Sequence, residues 1–112
     1  MSSEALTFRT EMQEGAAVVY CSGRLMAGET EPLRAEVKSL FPRAKSVVLD
    51  LSGLTGMDSM GLGAIVSLYV SAKAGGCELT LVNFGERVRK LLIVTNLLSV
   101  FEEYGRSNVR MP

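Results

Sequence analysis

Hydrophobic and polar residues alternate at the start of the chain, where Leu6, Phe8 and Met12 hold even positions with Thr7, Arg9 and Glu11 between them. A period of two predicts a half-buried β-strand with the even side chains facing inward, and Thr10 only dilutes the pattern. Glu14 and Gly15 offer a turn, and Ala17–Ser22 is a second β-branched and aromatic run, so the pair predicts an amino-terminal hairpin. After a loop over 23–29, Thr30 is placed to cap a helix that has Glu31 and Pro32 in its first turn. Leu33, Val37, Leu40 and Phe41 line one face of that helix, and Pro42 ends it.

Ser46–Leu51 is nearly continuous in apolar residues, with Asp50 the exception, which is the pattern of a central strand. The segment SGLTGMDSMG that follows reads as a glycine-rich turn into a second helix, striped by Leu62, Ile65, Val66, Tyr69 and Val70 and stopped by Gly75 and Gly76. Cys77, Leu79 and Leu81 alternate with polar residues as the next strand. Glu86–Thr95 supplies a third helix with Val88, Leu91 and Leu92 inward, and Leu98–Phe101 reads as a last short strand. The order β-β-α-β-α-β-α-β with short connections predicts an α/β fold: a mostly parallel sheet with right-handed crossovers and an antiparallel edge from the hairpin. One domain is expected over residues 1–112, with an ordered core of about 4–103 and a loose polar tail at 104–112.

Composition narrows what such a domain does. Twelve basic and 12 acidic residues give zero formal charge, so no basic field is available to hold nucleic acid phosphates. The absence of histidine removes the commonest general base, the Ser-His-Asp arrangement and most zinc sites. Cys21 and Cys77 lie in separate apolar segments and are expected as buried free thiols, which suits a reducing cytoplasm. The first twelve residues lack the apolar core of a signal peptide. The longest apolar run, Gly61–Ala72, falls short of the ~20 residues of a membrane span, so no membrane insertion is expected.

The least ordinary stretch follows the central strand. Its glycines, Gly53, Gly56, Gly61 and Gly63, invite a phosphate-loop reading, but the GxxxxGK[ST] pattern is absent and Val66 stands where a dinucleotide fingerprint needs glycine. No cofactor is expected. Asp58 is placed to cap the second helix and Ser59 falls in its first turn with the hydroxyl outward; read alone, both are ordinary helix-starting residues. Met26, Met57 and Met60 either cluster around Ser59 as an adaptable apolar rim or fill the core. Asp50 has only Asp58 as a nearby second acid, too few for a metal site, and is expected to bond backbone amides in the turn.

The run from Val47 to Glu102, centred on LDLSG and MDSMGLG, resembles the STAS domain of anti-sigma factor antagonists, and Gly23-Arg24-Leu25 ahead of the Thr30 helix agrees more loosely. That resemblance implies a single STAS domain with helices packed mainly on one face of the sheet. It also implies that Ser59, directly after Asp58, is a phosphorylation site and a substrate rather than a catalyst. The implied partners are an anti-sigma factor that is also an ATPase-type serine kinase, and a phosphoserine phosphatase. The unphosphorylated form would bind the kinase and free a sigma factor. Arg24, Met26, Met57, Asp58, Ser59, Met60, Gly61 and Leu62 are the implied partner-binding residues. Two positions depart from the family pattern: Met60 replaces a frequent second hydroxyl residue, and Met26 stands where aspartate is frequent. The alternative is an unphosphorylated STAS interaction module in a larger signalling or transporter-associated assembly. The terminal helix of many relatives is expected to be missing or reduced, and a weak homodimer is among the states the sequence allows.

Overall fold

The structure, a computed structural model, describes residues 5–101. The carboxy-terminal tail expected at 104–112 lies outside the described residues. In order along the chain stand β1 (Thr7–Gln13), β2 (Ala16–Leu25), α1 (Glu31–Leu40), a 3₁₀ turn (Phe41–Arg43), β3 (Ser46–Met57), α2 (Ser59–Ala74), β4 (Glu78–Val82) and α3 (Glu86–Val94). The sheet order is β1-β2-β3-β4, with β1 antiparallel to β2 and the other neighbours parallel.

The alternation in the strands explains how this sheet closes its core. Ala17, Val19 and Cys21 of β2, Val47, Leu49 and Leu51 of β3, and Leu79 and Leu81 of β4 are all buried. They form one cluster with Leu33, Val37 and Leu40 of α1, Leu62, Ile65 and Leu68 of α2, and Val88 and Leu92 of α3. Period-two strands thus send alternate side chains to the face that the helices cover. Burying each such aliphatic side chain stabilises the fold by about 1.5–3 kcal/mol before chain entropy is counted. Both cysteines are buried and unpaired with each other. Burial first, then the charge of Asp50, pushes the Cys21 thiol up to about 12; burial and then Glu78 also raise Cys77.

Several expectations need correction. The glycine-rich segment is not a turn: β3 continues through it to Met57, and β2 runs on to Leu25 beside it, with Ser22↔Gly53, Gly23↔Leu54, Arg24↔Gly56 and Leu25↔Met57 in register. The register shifts between Tyr20 and Ser22 and between Gly23 and Arg24, and such irregularities bring backbones close. A Cβ on Gly53 would lie 2.8 Å from the Cys21 carbonyl oxygen and closer still to Ser22 Oγ. Glycine is there for space, not for turning. Because this run is paired strand, it makes no phosphate-cradling loop.

Residues 98–101 are helical rather than a strand. The Val100 and Phe101 N–H groups donate to the Leu97 carbonyl, and Phe101 is fully buried with its ring edge-on to Tyr69, centroids 5.3 Å apart. Local turn bonding and one aromatic anchor outweigh the short apolar run that suggested a strand. Two side chains assigned inward are exposed: Met12 at 46% and Val70 at 60%. On α2 the buried stripe instead runs through Gly61, Leu62, Ala64, Ile65, Leu68 and Ala72. Thr30 makes no side-chain cap bond; its backbone is already helical (φ −86°, ψ −26°) and its carbonyl accepts from the Arg34 N–H.

Candidate functional site

Met57 ends β3, Asp58 leaves the strand in extended conformation, and α2 begins at Ser59. The Asp58 carboxylate holds this junction from two sides. Its Oδ1 accepts from the Gly61 N–H at 2.9 Å, satisfying one of the unpaired donors of the helix start. Its Oδ2 accepts from the Ala27 N–H at 3.1 Å, in the segment that follows β2. These backbone donors, Gly61 foremost and Ala27 next, hold the Asp58 carboxyl below the ordinary carboxylate range.

Gly61 fixes the same junction by contact. A Cβ there would stand 3.0 Å from the Leu25 carbonyl carbon and from Met57 Cγ, and closer still to the Leu25 oxygen. The helix start therefore rests on the end of β2, an approach that a side chain would block. Beside it the chain turns over 26–29, the Glu29 N–H donating to the Met26 carbonyl at 2.9 Å with Gly28 at φ 89°. The Ala27 N–H that reaches Asp58 belongs to this turn. Nothing in the sequence pattern marks it, because any residue but proline supplies that donor.

The arrangement presents Ser59 at the first position of α2, exposed, on a base held by its neighbours. Met60 beside it is 61% exposed. Met26 is half-buried, its Cε lying over Gly56 3.2 Å from where a Cβ would be, and exposed Arg24 covers the same glycine with its Cγ at 3.7 Å. Met57 is half-buried and packs on the core cluster. Gly61 and Leu62 are buried, so they position the helix start rather than offer surface. Of the residues singled out from the sequence, Ser59, Met60 and Arg24 form the accessible part. Met26 and Asp58 are its partly covered flank.

A groove of about 310 Å³ runs next to these residues, lined by Leu51, Leu54, Thr55, Gly56, Glu86 and Arg87. Arg87 Nη1 donates to the Thr55 carbonyl at 3.4 Å, linking the start of α3 to the end of β3. Arg87 carried no signal in the sequence, since its place beside Thr55 depends on how α3 packs. Asp50 meets its expectation in part: Oδ1 accepts from a backbone amide, the Ser52 N–H at 2.9 Å, but within β3 rather than a turn, and Oδ2 accepts from a side chain instead, Asn83 Nδ2 at 3.1 Å. Among the described residues, no group of three or more acidic, cysteine or histidine side chains is placed to hold a metal ion. No described helix is long and apolar enough to cross a membrane.

Comparison with known proteins gives this geometry a context. The family model for the STAS domain matches residues 7–110. The chain is similar to an anti-sigma F factor antagonist of Paenibacillus polymyxa, 28% identical over 101 residues that cover 88% of this chain and 86% of the relative. Its fold is similar to that of an anti-sigma factor antagonist from Mycobacterium paratuberculosis, with a TM-score of 0.76 at 24% identity over 89% of this chain and 86% of that one. It is also similar to SpoIIAA, an anti-sigma factor antagonist solved in two forms. The unphosphorylated form gives a TM-score of 0.70 at 23% identity, covering 81% of this chain and 82% of that one. The phosphorylated Bacillus form gives 0.67 at 22% identity, covering 81% and 85%.

Proposed function

The chain belongs to the STAS domain family, and on that premise we propose that it works as an anti-sigma factor antagonist switched at Ser59. Unmodified, it binds an anti-sigma factor that is also an ATPase-type serine kinase, and so frees a sigma factor. Phosphorylation of Ser59 ends that binding, and a phosphoserine phosphatase restores it. Ser59 is then a substrate, and the chain performs no catalysis. The observation that carries this reading is the exposed Ser59 at the start of α2, on a junction clamped by Asp58 and Gly61. The similarity to SpoIIAA, a protein known in both phosphorylated and unphosphorylated forms, supports it.

Electrostatics says how such a switch acts. A phosphate on Ser59 adds roughly −1.5 to −2 charge at neutral pH together with strongly hydrated oxygens. A helix start favours negative charge by about 0.3–1 kcal/mol, and the Asp58 bonds are to backbone groups that the phosphate does not remove. The fold therefore persists. A partner surface shaped for a hydroxyl must instead desolvate the phosphate beside the Asp58 carboxylate, and a penalty of about 3 kcal/mol already weakens binding over a hundredfold. The switch acts by exclusion at the interface, with Met60, Met26 and Arg24 as the neighbouring contact surface.

Incubation with a candidate serine kinase and ATP, followed by intact mass measurement and residue mapping, tests this reading. One phosphate on Ser59 and at least a hundredfold weaker binding of the modified form are expected. A phosphate mapped elsewhere, or equal binding by both forms, overturns it. A stable complex with no phosphate transfer establishes the unswitched interaction module instead.

A further inference from the structure

β1 is an outermost strand, hydrogen-bonded to β2 alone among the described strands. The hairpin closes on the pair Gln13↔Ala16 around the two-residue turn Glu14–Gly15. A pair that closes a two-residue turn is hydrogen-bonded, and bonded and non-bonded pairs alternate along an antiparallel ladder. Thr7, Arg9, Glu11 and Gln13 therefore direct their backbone groups to β2. The N–H and C=O groups of Phe8, Thr10 and Met12 point out from the sheet. Proteins usually blunt such an edge with proline, charged side chains (lysine above all) or a bulge. β1 has neither proline nor lysine, its register with β2 is unbroken, and its two charges, Arg9 and Glu11, are of opposite sign and pair with each other.

The strand is, moreover, complementary to itself. Laid antiparallel to a second copy about a two-fold axis at Thr10, it sets Arg9 opposite Glu11, Phe8 opposite Met12 and Thr7 opposite Gln13, each pair occurring twice. The same register makes Thr10–Thr10 and Phe8–Met12 the bonded pairs, which are the residues whose backbone groups face outward. A slip of one residue would satisfy neither condition. Arg9 Nη1 and Glu11 Oε2 already pair side by side on the face away from the helices, both side chains well exposed. The Arg9 guanidinium stacks 4.4 Å from the centroid of the Tyr20 ring, which holds it on that face. On the other face, Met12 at 46% exposure would gain the second copy's half-buried Phe8 as a neighbour.

We propose that β1 pairs with the β1 of a second copy of this chain in this register, joining two four-stranded sheets into one. A single opposing feature is visible: Glu36 of α1 accepts from Thr10 Oγ1 at 2.7 Å, so pairing brings two like charges toward the axis. A seven-residue edge opposed in this way makes a weak, concentration-dependent dimer, smaller than the ~1,000 Å² that stable interfaces clear. Such a dimer is independent of the Ser59 switch, since the edge is on the far side of β2 from β3 and pairing leaves Ser59 open.

Sedimentation velocity and amide hydrogen exchange by NMR, from about 20 µM to about 1 mM protein, test it in the range where a weak interface populates. The expected result is a dimer fraction that grows with concentration. The Phe8, Thr10 and Met12 amides should gain protection as it grows, while those of Arg9 and Glu11 are protected throughout. Arg9→Glu sets two carboxylates opposite each other at both ends and should weaken the dimer at least about tenfold. The double exchange Arg9→Glu with Glu11→Arg restores the opposed pairs and should return affinity to within about threefold. A monomer at the highest concentration overturns the proposal, as does a dimer indifferent to Arg9→Glu or one whose new protection falls elsewhere. If Arg9→Glu harms the fold through the lost Tyr20 contact, Glu11→Arg decides the matter: it keeps Arg9 on Tyr20 and sets two guanidinium groups opposite each other at both ends, so a dimer it does not weaken overturns the proposal.

Discussion

The starts of α1 and α2 look alike as sequence and differ as structure. Each has a residue suited to capping, Thr30 for α1 and Asp58 for α2. Thr30 is already helical and its side chain caps nothing, so α1 begins on its own residues Glu31 and Pro32. Asp58 is extended, caps Gly61 and also grips Ala27. One helix merely starts; the other is fastened to a different part of the chain. On the function proposed above, the second arrangement favours recognition, because the geometry of the α2 start is set before binding and need not be ordered afterwards.

The sharpest way to break this contrast is at Gly61. Gly61→Ala improves helix propensity by about 1 kcal/mol, yet its Cβ meets the Leu25 backbone, which no side-chain rotation relieves. A net loss of about 2 kcal/mol or more is expected in urea denaturation. Unchanged stability would mean that the helix start does not rest on β2.

Asp58→Ala removes both grips and should cost about 1–2 kcal/mol, measured the same way. Asp58→Asn refines the point, since its single acceptor oxygen can cap Gly61 but turns an amide toward Ala27. Faster exchange of the Ala27 amide, with α2 protection kept, is the expected outcome.

Acid probes the same carboxylate. Because its folded pKa lies below its unfolded value of about 3.9, the stabilisation from Asp58 is fully present above that value and is lost as pH falls through the folded pKa. Amide shifts of Ala27 and Gly61 should therefore move together below about pH 4 and stay flat above pH 5.

The smallest effect belongs to the other helix. Thr30→Ala should change stability by less than about 0.5 kcal/mol, since no side-chain bond is lost. A loss as large as that of Asp58→Ala would erase the difference between the two helix starts.

The contrast also shows how far the chain could be read unaided. Alternation found the hairpin, and helical spacing found Leu33, Val37 and Leu40, Leu62 and Ile65, and Val88 and Leu92, all of which are buried. It went astray where local preference and tertiary need part company. Gly53 and Gly56 signal a turn by their conformational freedom but sit in a strand where neighbours crowd. Residues 98–101 have strand composition but follow the turn bonds from Leu97 into a helix. At the candidate site, the capping place of Asp58 and the helix-start place of Ser59 were legible from motif and position, while the approach of Ala27 and Arg87 was not.

What the sequence by itself determined is the set of elements with strong period, their order, and a serine placed after a capping aspartate. These follow from backbone preferences and from the need of each apolar stripe to find cover. Only the tertiary structure decided that β3 runs on to Met57, that the Ala27 N–H meets a carboxylate 31 residues later, and that Gly61 lies against Leu25. Those contacts join segments distant along the chain, and a backbone donor or a missing Cβ leaves no trace in the pattern of side chains that would announce its partner.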